Sequence, residues 1–247
     1  MTTVRLLLAY DGTDFHGWAA QPGVRTVAGT LGGALGRVLG EPPRLSVAGR
    51  TDAGVHALGQ VVSFEAPPTV DPGRLQRAVN GMLAPEVVVR SASRAAAGFD
   101  ARRSSRARLY LYRIDTGPVP SPFSARFVWH RPGDLPIGRL RPAARLLVGE
   151  HDFRSFCRSQ GSGARTIRTL RRLSVTRVGH EVQFRAEANA FLHQMVRSIV
   201  GTLVAVGEGR IDPKAMPEIL AARMRSAAGP VAPPQGLALL HVTYGRS

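Results

Sequence analysis

The sequence predicts an α+β protein of two halves, each with a largely antiparallel sheet. Three observations carry that reading. Short alternating apolar segments of strand type are interleaved with segments of helical period. The order strand, helix, paired strands, helix, strand occurs twice along the 247 residues. Gly179-His180, between two apolar alternating runs, is a hairpin signal rather than a crossover. A doubly wound fold fits this order less well.

The elements follow in turn. "VRLLLAY" (4–10) reads as a strand. In 26–39, Val27, Leu31, Leu35, Val38 and Leu39 recur at helical spacing, with Thr26 as the N-cap. Glycines 29, 32, 33 and 36 each weaken that helix by roughly 1 kcal/mol relative to Ala and suggest close packing. Leu45 and Val47 close one strand, and 60–66 form the next. Asp71-Pro72 opens a helix to about Met82, with Asp as cap and Pro at the first helical position. Strands follow at 87–94 and 106–114. A Pro- and Gly-rich connection (115–127) leads to a helix near 138–148, then to strands 168–178 and 181–188. A strongly apolar helix is expected over 191–207, another from Asp212-Pro213, and a last strand over 237–244. The division is therefore 1–114, a connection 115–137, and 138–247.

Composition narrows the function. Net charge is +16, from 33 basic and 17 acidic residues. All the basic residues but Lys214 are arginine, a codon-bias signature. Bias explains arginine in place of lysine but not the excess over acids, so a polyanion, nucleic acid first, is the expected partner. There is no apolar run long enough to span a membrane and no signal-peptide layout, which points to a soluble, cytoplasmic protein. A single cysteine, Cys157, excludes an internal disulfide and a multi-cysteine zinc site.

The stretch "VAGRTDAGVHALGQVVSFEA" (47–66) places Asp52 two residues after Arg50 in a strand-to-strand loop with glycines at 49, 54 and 59. Such a loop is either an ordinary turn with a surface ion pair or a site built on a rigid sheet. Asp11, Asp14, His16 and His56 lack the spacing of known metal loops, so hydrogen-bonding roles are expected of them and no metal. "GTLGGALG" lacks the Lys-Ser/Thr of a P-loop, and no nucleophile elbow supports a serine triad. "QGSGART" (160–166) is a basic loop that faces RNA or is a plain linker. Tyr110 and Tyr112 share one strand face: one suits the core, the other suits stacking on an unpaired base. Arg197 is a charge on an apolar helix and needs a partner; Asp52 is the natural one, and the pairing would hold the carboxylate ionised.

With these residues in view, "AGRTDAGVHALGQVVSF" resembles the signature of the tRNA pseudouridine synthase A (TruA) family, whose G-R-T-D-x-G-V-H segment carries an essential aspartate. "YDGTDFHGW" (10–18), "FDARRSSRARLYLY" (99–112), "GEHDFRSF" (149–156), "NAFLHQMVRSIVGTLVAVGEGR" (189–210) and "APPQGLALLHVTY" (232–244) resemble further family segments, in family order. The resemblance implies that Asp52 is the catalytic aspartate, that Arg50 helps flip the target nucleotide, and that Tyr110 stacks on the target base. It implies that Arg197 pairs with the aspartate and that Leu192 walls the pocket. It also implies two ferredoxin-like halves sharing a curved, largely antiparallel sheet, with the active-site cleft between them, and a homodimer bridged by tRNA. The chain departs from the family at Ala19 and Ala28, where Gln is common, and at Arg108-Leu109, where a second basic residue is common. These positions bear on RNA docking and not on the catalytic set.

The implied reaction isomerises uridine to pseudouridine in the anticodon stem-loop, at tRNA positions 38 to 40 in the family. The N1–C1′ bond breaks, uracil turns, and C5 joins C1′, with the aspartate assisting near C1′ or C2′. No redox step or group donor is needed, so no cofactor is expected. The competing readings are a non-catalytic RNA-binding protein and a nucleosidase. The first leaves an acidic residue without a purpose in a basic groove. The second releases free uracil.

Overall fold

The computed structural model describes residues 1–158 and 165–245. In chain order the elements are β1 (Thr2–Tyr10), α1 (Val27–Leu39), β2 (Ser46–Val47), β3 (His56–Ala66), α2 (Pro72–Leu83), β4 (Val87–Arg94) and β5 (Ser105–Asp115). Then come β6 (Trp129–His130), α3 (Ile137–Leu146), β7 (Gly149–Asp152), β8 (Ile167–Val178), β9 (Glu181–Ala188), α4 (Met195–Gly207), α5 (Met216–Ala222) and β10 (Leu237–Tyr244). This is the mixed α+β class with mostly antiparallel strand pairing that the strand and helix order predicts. By packing, Met1–Arg106 with the chain from Ala238 onward forms one unit, and Ala107–Leu237 forms a second. The sequence limits at 114/115 and 137/138 follow composition instead, and stand as a proposal for how the halves are joined. Among the described residues no helix is long and apolar enough to cross a membrane.

In the first unit, β1 pairs antiparallel with β3 on one side and β4 on the other, and β2 pairs with β3. With α1 and α2 as the connections, this is the split βαβ arrangement of a ferredoxin-like half. β10 adds a short parallel pairing, Ala238 opposite His56 and Leu239 opposite Ala57. The period of two along β1 sends Val4, Leu6, Leu8 and Tyr10 to the core face. On α1 the stripe Val27, Leu31 and Leu35 is likewise buried. Each such aliphatic side chain contributes about 1.5–3 kcal/mol on full burial. The caps expected from sequence form: Thr26 accepts from the Gly29 amide at 3.2 Å, and Asp71 from the Arg74 amide at 2.8 Å.

In the second unit the strand order is β5-β9-β8-β7, all antiparallel. Phe153, Phe156, Phe184, Ile199 and Leu203 are fully buried there. Three expectations change. The helix expected over 191–207 begins at Met195, because Gln194 takes a left-handed φ of 61° and the Met195 amide closes a turn on the Leu192 carbonyl at 3.1 Å. The Asp212-Pro213 start is a 3₁₀ turn, Pro213–Ala215, capped by Asp212 and continued by α5. The connection after β5 contains β6, parallel to the end of β5. The loop 160–166 lies outside the described residues up to Ser162, Gly163 and Ala164; only Arg165 and Thr166 are seen.

Candidate active site

The loop between β2 and β3 is short, and it is fixed from beneath. Thr51 is buried, and its hydroxyl shares a 2.8 Å hydrogen bond with the Tyr10 hydroxyl. The Thr51 carbonyl accepts from the Trp18 amide at 3.0 Å. Gln60, fully buried on β3, donates from Nε2 to the Gly49 carbonyl at 2.7 Å and to the Tyr10 oxygen at 3.3 Å. Past the aspartate, the Val55 amide donates to the Asp52 carbonyl at 3.1 Å and the Gly54 amide to the Phe15 carbonyl at 3.2 Å. Gly54 has φ +74°, a left-handed turn that costs glycine nothing. Gly59, expected in the loop, lies within β3, where a Cβ would fall 2.4 Å from the Leu240 carbonyl oxygen.

This fixing comes largely from 10–18, a segment in which the sequence suggested hydrogen-bonding roles for Asp11, Asp14 and His16 but no support for the Asp52 loop. Gly17, at φ +88°, lies so close beneath the loop that a Cβ there would sit 2.9 Å from the Thr51 carbonyl oxygen. Trp18 and Phe15 are buried, and Arg25 covers the Phe15 ring with its guanidinium carbon 4.5 Å from the centroid. The Gly17 and Trp18 carbonyls accept from the amides of Val27 and Ala28, which ties the segment to the start of α1. Asp11 caps its own turn by accepting from the amide and hydroxyl of Thr13. Buried His56 presents Nδ1 to the Gly12 amide at 2.9 Å. Its Nδ1 also lies 3.2 Å from Asp11 Oδ1. These are the hydrogen-bonding roles expected of Asp11 and His56.

Within this frame Arg50 is exposed, Thr51 buried and Asp52 half-buried. The carboxylate therefore stands on a rigid floor with access to solvent. Burial pushes the Tyr10 hydroxyl up to about 12, against the opposing effect of its bonds to Thr51 and Gln60, so it stays neutral at working pH.

The second unit builds a separate cluster. Tyr110 and Tyr112 point to one face of β5, opposite Ala186 and Phe184 of β9. Tyr112 is the core residue, at 0% exposure; its hydroxyl donates to the Pro233 carbonyl at 2.7 Å. Burial raises the Tyr112 pKa strongly, partly offset by the charge of Arg197. Tyr110 is 7% exposed and meets Phe191 edge-on at 5.1 Å. Arg197 donates from Nε to the Ala232 carbonyl at 2.8 Å, while the Ala232 amide donates to the Arg197 carbonyl at 3.1 Å. Arg197 and Tyr112 thus hold successive carbonyls of the 232–233 segment, which fixes the base of the Arg197 side chain. Leu192 is buried in the turn ahead of α4.

The sequence reading missed Tyr10, Thr51, Gln60, Gly17 and Trp18 as supports of the loop, and Phe191 as the neighbour of Tyr110. One signal was present: a glutamine beside Val61, Val62 and Phe64 in a largely apolar strand needs buried partners.

A model of a family described as tRNA pseudouridine synthase matches residues 143–245. A tRNA pseudouridine synthase A from Frankia casuarinae is 48% identical over 249 residues, covering 99% of this chain and 90% of that protein. Its counterpart from Brevibacillus brevis is 42% identical over 244 residues, covering 99% and 100%. The one from Geobacter sulfurreducens is 40% identical over 247 residues, again covering 99% and 100%.

Proposed function

The chain belongs to the tRNA pseudouridine synthase A family and is a uridine-isomerising enzyme of tRNA, and from that premise we propose that Asp52 is its catalytic carboxylate, acting on the anticodon stem-loop at positions 38 to 40. The observation that carries the assignment is the frame of the loop. Thr51, next to Asp52, is held at its hydroxyl by Tyr10 and at its carbonyl by Trp18, while Asp52 itself remains half-buried. A carboxylate held this way meets the ribose with little freedom to lose.

The chemistry follows from the reaction. Cleavage of N1–C1′ develops positive charge on the ribose, and an anionic carboxylate at C1′ or C2′ stabilises or captures it. Uracil then turns and C5 bonds to C1′; C5 loses a proton and N1 gains one, so mass is unchanged. The nucleotide must first leave its stack, at a cost of a few kcal/mol that is smaller in or beside a loop. In this reading Arg50, exposed on the same loop, holds the flipped strand. Tyr110 stacks on the base, Leu192 walls the pocket, and Arg197 is the cation that keeps the carboxylate ionised. The enzyme works in the cytoplasm as a homodimer that tRNA bridges.

Unmodified tRNA transcript incubated with the enzyme and labelled with carbodiimide tests the position. Label confined to 38–40 is expected. Label in another arm defeats the anticodon proposal, and free uracil defeats isomerisation. Sedimentation of the free enzyme at twice the 26.5 kDa chain mass is expected for the dimer.

A further inference from the structure

Catalysis at a ribose needs its carboxylate held to a fraction of an ångström. Residues 50–54 form a short turn closed by Gly54. Tyr10 lies beneath them, at the end of β1 and on its core face. Its hydroxyl contacts Thr51 Oγ1 at 2.8 Å and Gln60 Nε2 at 3.3 Å. An amide nitrogen only donates, so the Tyr10 oxygen accepts from Gln60, while between Tyr10 and Thr51 either hydroxyl can supply the proton. The same Gln60 nitrogen holds the Gly49 carbonyl at 2.7 Å, and Gln60 Oε1 accepts from the Val61 amide at 3.2 Å. The chain of bonds therefore grips the loop at 49 and at 51, on both sides of Arg50 and just ahead of Asp52.

We propose that Tyr10, backed by Gln60, is a positioning residue for catalysis: its hydroxyl sets the Thr51 side chain and through it the aim of the Asp52 carboxylate. This rests on the reading of Asp52 as catalytic. The bond is separable from the fold. Leu8 and Tyr10 remain paired with Gln60 and Ala57 by backbone whether or not the phenol oxygen is present. The ring stays in the apolar face formed with Leu6 and Leu8. Removing the oxygen loosens the loop without opening the sheet.

The test uses the full chain and an unmodified tRNA transcript. Tyr10→Phe is expected to lower the single-turnover rate on the order of ten- to a hundred-fold, with tRNA affinity within about twofold of wild type and the thermal transition still cooperative. Thr51→Val reproduces the loss, and Thr51→Ser, which keeps the hydroxyl, retains the rate. The double variant Tyr10→Phe/Thr51→Val falls no further than either single change, because both cut one bond. A Tyr10→Phe enzyme with the wild-type rate, a loss confined to tRNA affinity, or additive losses in the double variant overturns the proposal. Should Tyr10→Phe not fold, equal rates for Thr51→Ser and Thr51→Val overturn it. Asp52→Asn is measured alongside. An active Asp52→Asn removes the underlying assignment, whereas an inactive Asp52→Asn with fully active Tyr10→Phe removes only the positioning role.

Discussion

Gly17 and Thr51 approach so closely that a Cβ on Gly17 would lie 2.9 Å from the Thr51 carbonyl oxygen and 3.2 Å from the Asp52 carbonyl carbon. Only glycine fits, both for this contact and for its φ of +88°. Gly17→Ala is therefore expected to push the Asp52 loop upward. It should destabilise the protein by about 1–3 kcal/mol and lower turnover by tenfold or more. Gly23→Ala is the control: φ is +74° but nothing lies within 4 Å, so it carries the backbone strain without touching the loop. Turnover and thermal melts of both variants check this, and equal turnover losses would contradict it.

Tyr110 is the proposed stacking residue. Tyr110→Phe keeps the ring and its edge contact with Phe191 at 5.1 Å, and should keep most of the activity. Tyr110→Ala removes a stacking surface worth about 1–3 kcal/mol and should lose most of it. Single-turnover rates of the two variants decide the matter. If both match wild type, Tyr110 is a packing residue like Tyr112.

Arg197 is held at its base by Ala232. Arg197→Met keeps the length of the side chain and removes the charge. It should lower turnover far more than tRNA affinity, because its proposed partner is Asp52 and not phosphate. The melting temperature should also fall, since the Ala232 carbonyl loses its donor, a cost of about 1–3 kcal/mol. A variant with normal turnover at saturating tRNA and weakened binding would place Arg197 on the RNA face.

Local chemistry was legible in the sequence, and distant contact was not. Thr26 and Asp71 cap their helices because a cap is decided within four residues. The hairpin at Gly179 is likewise local, with φ +59°. The start of α4 was misjudged because Phe191 and Leu192 continue the apolar run of the helix, and the left-handed turn at Gln194 leaves no mark in the pattern. Of the α1 glycines suggested for close packing, Gly36 has a neighbour, with Pro42 Cγ 3.0 Å from a built Cβ, whereas Gly32 and Gly33 have nothing within 4 Å. Asp52 stood out through its loop and its resemblance. Tyr10 did not, because its partners Thr51 and Gln60 are remote in sequence, and a tyrosine ending an apolar strand reads as core.

Tyr10 also ties stability to alkaline pH. Burial lifts its folded value from 10.0 to about 12. Between these values the unfolded chain has released the proton and the folded chain still holds it, so rising pH favours unfolding. The contribution is whole below pH 10 and is lost as pH climbs through 12, by up to about 1.4 kcal/mol per pH unit. Tyr112, also raised by burial, acts in the same direction. Urea titrations at pH 8 to 11 should show falling stability, with a shallower fall in Tyr10→Phe. Equal slopes in the two proteins would contradict the shift.

Asp52→Asn is the most direct test of the catalytic assignment. The substitution keeps size and hydrogen bonding but removes the negative charge that the proposed mechanism uses at the ribose. It also removes a charge that repels phosphate, so tRNA affinity should hold or rise slightly. The measurement is pseudouridine formed in unmodified tRNA, beside tRNA affinity and a thermal melt, with Asp11→Asn and Asp14→Asn as nearby carboxylate comparisons. Pseudouridine is expected below detection for Asp52→Asn, with binding and folding intact and both comparison variants active. Conversion near the wild-type rate by Asp52→Asn, or equal loss in all three variants, would contradict the account.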